Sequence, residues 1–94
     1  MTAVGLMTVD LQIPGSRSLK SKRKVVSSLT AKLRQRFNVS VAEVEFQDKW
    51  QRCRVGVAAV SNDGRHVDSQ LRKALDAIEG MGIVVIIDFQ IEIL

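Results

Sequence analysis

Residues 18–47 read SLKSKRKVVSSLTAKLRQRFNVSVAEVEFQ. This stretch decides the fold, because its periodicity changes once, at Asn38. Before that point Leu19, Val26, Leu29, Leu33 and Phe37 recur seven, three, four and four residues apart, one stripe at about 100° per residue. The spacing predicts a helix over 18–37, capped by Ser18 or Ser16 and stopped at Asn38, a residue that tolerates the left-handed conformation. After that point 39–47 carries the short apolar and polar steps of a strand.

The same two periods organise the flanks. Ala3, Gly5, Met7, Val9, Leu11 and Ile13 alternate with Val4, Leu6, Thr8, Asp10 and Gln12, which predicts a strand over 3–13 that Pro14-Gly15 breaks. Downstream, QDKWQ at 47–51 is a polar hairpin connection to a strand over 52–61, whose inward set is Cys53, Val55, Val57 and Ala59. Ser61-Asn62-Asp63-Gly64 turns into a second helix over 65–79, striped by Val67, Leu71, Ala74 and Ile78, which Gly80 and Gly82 end. The last strand, 83–94, alternates Ile83, Val85, Ile87, Phe89, Ile91 and Ile93 toward the core, leaving Val84 and Ile86 on the other face.

The order βαββαβ predicts an α+β chain with the ferredoxin-like fold: a four-stranded antiparallel sheet in the order 4-1-3-2, with right-handed crossovers placing two helices on one face. The 94 residues, 46% hydrophobic, suit a single domain over 1–94. The N-terminal residues lack a basic leader and a cleavage site and read as mature structure. The longest apolar run, IVVII at 83–87, is too short to span a bilayer. Cys53 and His66 are the only residues of their kinds, so a disulfide or a metal site lacks partners, and no cofactor is expected. A lone thiol in phase with the core reads as packed rather than reactive, and the chain as cytoplasmic.

The net charge of +4 is unevenly spread. No acidic residue stands between Asp10 and Glu43. That stretch holds Arg17, Lys20, Lys22, Arg23, Lys24, Lys32, Arg34 and Arg36, while the other six basic residues share the chain with all ten acidic ones. Such asymmetry points to a surface that faces a polyanion; a merely solvated helix face is the alternative.

The segments LKSKRKVVSSL (19–29), RFNVSVAEVEFQDKWQR (36–52), VGVAAVSND (55–63) and FQIEIL (89–94) resemble the small YlxP-like bacterial family over essentially the whole chain. The resemblance implies the ferredoxin-like fold and a cytoplasmic bacterial protein of unestablished activity, whose relatives lie near genes for translation and ribosome maturation. It supplies no catalytic residues.

Three candidate sites follow. The first is SRSLKSKRK at 16–24. Lys20, Lys22, Arg23 and Lys24 crowd a helix start, where the exposed N–H groups and the dipole favour anions instead. Arg17, Lys20, Lys22, Arg23, Lys24 and Arg34 are therefore candidates for phosphate contacts with RNA or the ribosome. Lys22 also falls on the core stripe, so its ammonium must snorkel past the sheet edge or meet a partner there.

The second is the open sheet face, where Val39, Val41, Ala58 and Val60, with Val84 and Ile86 further along, are expected to gather as a homodimer surface. That face has no aromatic on its two central strands for base stacking, and Glu43 and Glu45 are expected opposite Arg54 and Arg52. The third is Trp50, which either stacks on a base or folds back on its own hairpin.

An enzyme is not expected. His66 beside Ser61 and Asp63 reads as a capping turn. Arg17 and Asn62 stand roughly where small phosphatases of this fold keep an Arg and an Asn, but without a glycine-rich cradle.

Overall fold

Alternation along AVGLMTVDLQ builds β1 (Ala3–Gln12), whose buried residues Gly5, Met7, Val9 and Leu11 alternate with more exposed ones. The computed structural model describes residues 1–94. The chain continues through α1 (Leu19–Arg36), β2 (Ser40–Glu45), β3 (Arg52–Ser61), α2 (Gly64–Gly80) and β4 (Val85–Ile93). The sheet order is β2-β3-β1-β4 and every pairing is antiparallel. This is the expected ferredoxin-like βαββαβ arrangement. No helix is long and apolar enough to cross a membrane.

Both helices start on side-chain caps. Ser18 accepts from the Ser21 amide at 3.0 Å, and Asp63 accepts from the Arg65 amide at 2.9 Å, each satisfying one orphan N–H of a first turn. Of the two serines proposed as caps, Ser18 has the role; Ser16 is buried and donates to the Ser18 carbonyl. The stop of α1 differs from the expectation. Phe37, not Asn38, forms the C-cap, in an extended conformation at φ −131°.

Seventeen buried apolar residues form one core. Met7, Val9 and Leu11 of β1 and Cys53, Val55, Val57 and Ala59 of β3 supply the sheet side. Leu29 and Leu33 of α1 and Val67, Leu71, Ala74, Ala77 and Ile78 of α2 supply the helix side. α2 approaches the sheet closely at Gly5: a Cβ there would stand 2.4 Å from Val67 Cγ1 and 2.9 Å from Leu71 Cδ1.

Two bulges correct the strand readings. On β2 the register runs Glu43↔Val55 and then Glu45↔Arg54, so Val44 is an extra residue. On β4 it runs Asp88↔Asp10 and then Ile86↔Leu11, so Ile87 is extra. Side chains alternate with period two, so one inserted residue reverses the face of everything beyond it. Hence Val41, expected on the open face, pairs with Val57 and is buried; Val84 is buried as well, and Ile86 packs against the core. Val85 and Ile87, expected inside, are about half exposed, at 49% and 48%.

Candidate functional site

Lys22 resolves one anomaly of the basic turn. The first turn of α1 directs it inward, where its side chain is only 1% exposed. Burying an ammonium requires partners, and β2 with the residue that follows it provides them. Nζ donates to the Phe46 carbonyl at 2.5 Å and lies 2.9 Å from Glu43 Oε2. That oxygen makes no well-directed hydrogen bond, so charge rather than directionality holds the pair. Glu43 faces inward because of the Val44 bulge, and it pairs with Lys22 instead of standing across from an arginine. Phe46 holds a left-handed φ of 67°, rare for an aromatic residue, and presents its carbonyl to Lys22. The neighbouring Cys53 thiol is pushed up to about 12, first by burial and then by the Glu43 carboxylate. It is thus a packed, protonated group, as the sequence suggests.

Without Lys22, and with Arg34 engaged by β2, the anion-facing set is Arg17, Lys20, Arg23 and Lys24, all exposed and none in an ion pair. Lys20, Arg23 and Lys24 join Ser27, Ser28 and Ala31 along one open trough on α1. The spacing of three and four residues puts them on one helix face, and the small side chains leave its floor shallow. No acidic residue stands in the first turn. Lys32 continues the same row beyond Ser28. Arg34 is set apart. It lies about 21 Å along the helix from Lys20 at 1.5 Å per residue, and its Nη2 donates to the Val41 carbonyl at 2.6 Å, which ties it to β2.

On the open face, Glu45 and Asp10 both engage Arg54; Arg54 Nε reaches Asp10 Oδ1 at 2.5 Å and Nη2 reaches Oδ2 at 3.1 Å. Arg52 and Arg54 also stand over the Phe46 ring, at 4.9 and 5.0 Å. These arginines are thereby neutralised or covered. The hydrogen bond from Arg54, aided by the charges of Arg54 and Arg52, holds the Asp10 carboxyl below the usual aspartate range against a smaller opposing push from burial. A depressed folded-state value contributes stability above the unfolded value of about 3.9 and loses it as pH falls through the folded value. The unfolding free energy, measured by denaturant titration from pH 6 downward, is therefore expected to drop less steeply in Asp10→Asn than in the unmodified protein. Superimposable curves would show that Asp10 carries no such linkage.

Of the six residues expected to form a dimer face, Val60 is 59% exposed and lines a groove with Val39, Ala58 and Val4. Val41, Val84 and Ile86 lie on the helix side and leave the set, and Val39, two residues before Val41, packs against the core as Ile86 does. Trp50 is 55% exposed, and the hairpin arginines sit on Phe46 instead. Phe46 went unnoticed in the sequence, since nothing in FQDKW signals its left-handed backbone.

Asp63 is engaged as the α2 cap, and the Ser61 hydroxyl accepts from the Asp63 amide at 3.4 Å. Arg17 follows the end of β1 that pairs with Arg52, whereas Asn62 follows Ser61, which pairs with Ala3. The two stand at opposite ends of the sheet and form no joint site.

Comparison with known proteins gives relatives without an assigned activity. An uncharacterized protein of Bacillus subtilis (strain 168), YlxP, is 34% identical over 76 residues, covering 81% of this chain and 83% of the relative. A structural-genomics structure of the protein YJCS aligns over 95% of this chain and 96% of that one, with a TM-score of 0.48 and 10% identity. The family model described as a protein of unknown function, DUF503, matches residues 4–91. With the match running through all six elements, the chain belongs to the DUF503 family.

Proposed function

We propose that this is a non-enzymatic, cytoplasmic RNA- or ribosome-associated protein that contacts phosphates through the exposed face of α1. One observation carries the reading: Arg17, Lys20, Arg23, Lys24 and Lys32 stand free of ion pairs on a segment without a single carboxylate. The cations that do serve the fold, Lys22, Arg34 and Arg54, are buried, tied to β2 or paired, so the others on α1 are not needed to balance internal charge. A row of cations beside small residues follows a phosphate backbone by charge and reads no base edges. The implied proximity of relatives to translation genes makes RNA the polyanion to test.

Binding to total bacterial RNA and to ribosomal subunits is expected to weaken linearly on a log–log salt plot. The charge reversal K20E/R23E/K24E should make that slope shallower by about 3, one unit for each lost phosphate contact. Reversal of Lys73 on α2, which shares its helix with Asp68, Asp76 and Glu79, should leave it unchanged. Equal retention of the triple variant on RNA overturns the reading.

A further inference from the structure

The two edges of the sheet are treated differently. The β2 edge is six residues long, bulged at Val44, and carries the Arg34 guanidinium on its Val41 carbonyl. Those are the usual devices that keep an edge from pairing. The β4 edge is nine residues long, and beyond its bulge at one end only Asp88, which takes the Phe89 amide, and Glu92 blunt it. VIIDFQIEI contains no Lys, Arg or Pro, and Phe89 and Ile93 are 40% and 42% exposed.

The backbone shows which groups are free. Leu94 N–H donates to the Val4 carbonyl at 2.8 Å, so Val4 and Leu94 form a hydrogen-bonded pair. Alternation along an antiparallel ladder then turns Glu92, Gln90 and Asp88 toward β1, and Ile93, Ile91 and Phe89 outward. In agreement, the Phe89 amide finds no strand partner and donates to its neighbour's Asp88 Oδ1 at 2.8 Å. Ile91 and Ile93 keep outward amides and carbonyls.

A second copy of this chain fits the edge because the strand is self-complementary, and charge selects the register. A second copy pairing antiparallel about a two-fold at residue 88, 90 or 92 would set Asp88 or Glu92 against a like charge, which is destabilising. A two-fold at Phe89 would set Ile91 against the bulged Ile87. A two-fold at Ile91 sets Ile91 on Ile91, Phe89 on Ile93 and Gln90 on Glu92, with every outward backbone group opposed to another. The apolar trio Phe89, Ile91 and Ile93 lies on the helix side, paired with Val9, Met7 and Gly5, and a second copy would cover it.

We infer that the chain forms a homodimer by β4–β4 pairing centred on Ile91, a continuous eight-stranded sheet with all four helices on one side. The two α1 faces then look the same way. The inference is independent of RNA binding and is tested without it.

Sedimentation of the full chain, whose protomer mass is 10.4 kDa, is expected to give twice that mass. F89K should give the monomer with an unaltered circular dichroism spectrum. F89K/I93E, which sets opposite charges against each other across the two-fold, should restore the dimer. Because I93E alone risks the packing beside Gly5, a second arm uses I91C. An antiparallel hydrogen-bonded pair has Cα atoms about 5.5 Å apart, within disulfide reach, so mild oxidation should cross-link I91C and leave V60C uncrosslinked. A monomer at every concentration overturns the inference. So does a dimer that survives F89K and is lost in V60K, since that places the interface on the open face.

Discussion

Lys22→Ala is expected to lower the unfolding free energy by about 3 kcal/mol, the lower end of what removing one partner of a buried pair costs. The lower end applies because Glu43 keeps 21% of its side chain exposed and recovers some water when its partner leaves. At about 4–8 °C per kcal/mol for a domain of this size, the midpoint should fall on the order of 15 °C. Two losses add. The Glu43 carboxylate is left without its cation beside the apolar core, and the Phe46 carbonyl loses the donor that fixes it at a backbone conformation few aromatic residues adopt. Thermal unfolding followed by circular dichroism measures the change. The pair is a specific contact rather than a packing volume, so Lys22→Met combined with Glu43→Leu should recover most of the loss, as apolar replacement of buried pairs often does. A midpoint that moves by a degree or two in Lys22→Ala would show that the ammonium contributes nothing at this position.

Gly5→Ala is the second large effect, with an expected cost of about 1–3 kcal/mol from overpacking. The clash arises because α2 lies directly on β1 at this point. Leu71 Cδ1, and Ile93 Cδ1 at 3.0 Å, are chain ends that can swing away, but Val67 Cγ1 at 2.4 Å belongs to a stiff, β-branched side chain. The added methyl group must therefore move the helix or the strand. Val67→Ala in the same chain should relieve the clash, so the double variant is expected to be more stable than the sum of the single changes predicts. Urea unfolding of the four proteins gives the coupling. Strict additivity would mean that the two residues do not meet.

The elements, their order and the sheet topology were legible in the residues because long periodic segments report their own period. Leu29 and Leu33 at helical spacing, and Met7, Val9 and Leu11 in alternation, each needed one buried face, and βαββαβ leaves few ways to bury all of them at once. The anomaly at Lys22 was also legible, since its angular position lies on the core stripe, but its partner was not. Glu43 reaches Lys22 through an inserted residue at Val44, and Val44 differs in no visible way from the valines around it. The same holds at Ile87 within the run IVVII. A strand's pattern is read modulo two, and a single bulge inverts it without changing composition, propensity or length by a readable amount. The sequence by itself therefore determined which segments are strands and helices and how they are ordered. Only the tertiary structure decided which face Val41, Glu43, Val84 and Ile86 occupy, because bulges are set by the register each strand finds against its neighbours, a long-range choice that no local period records.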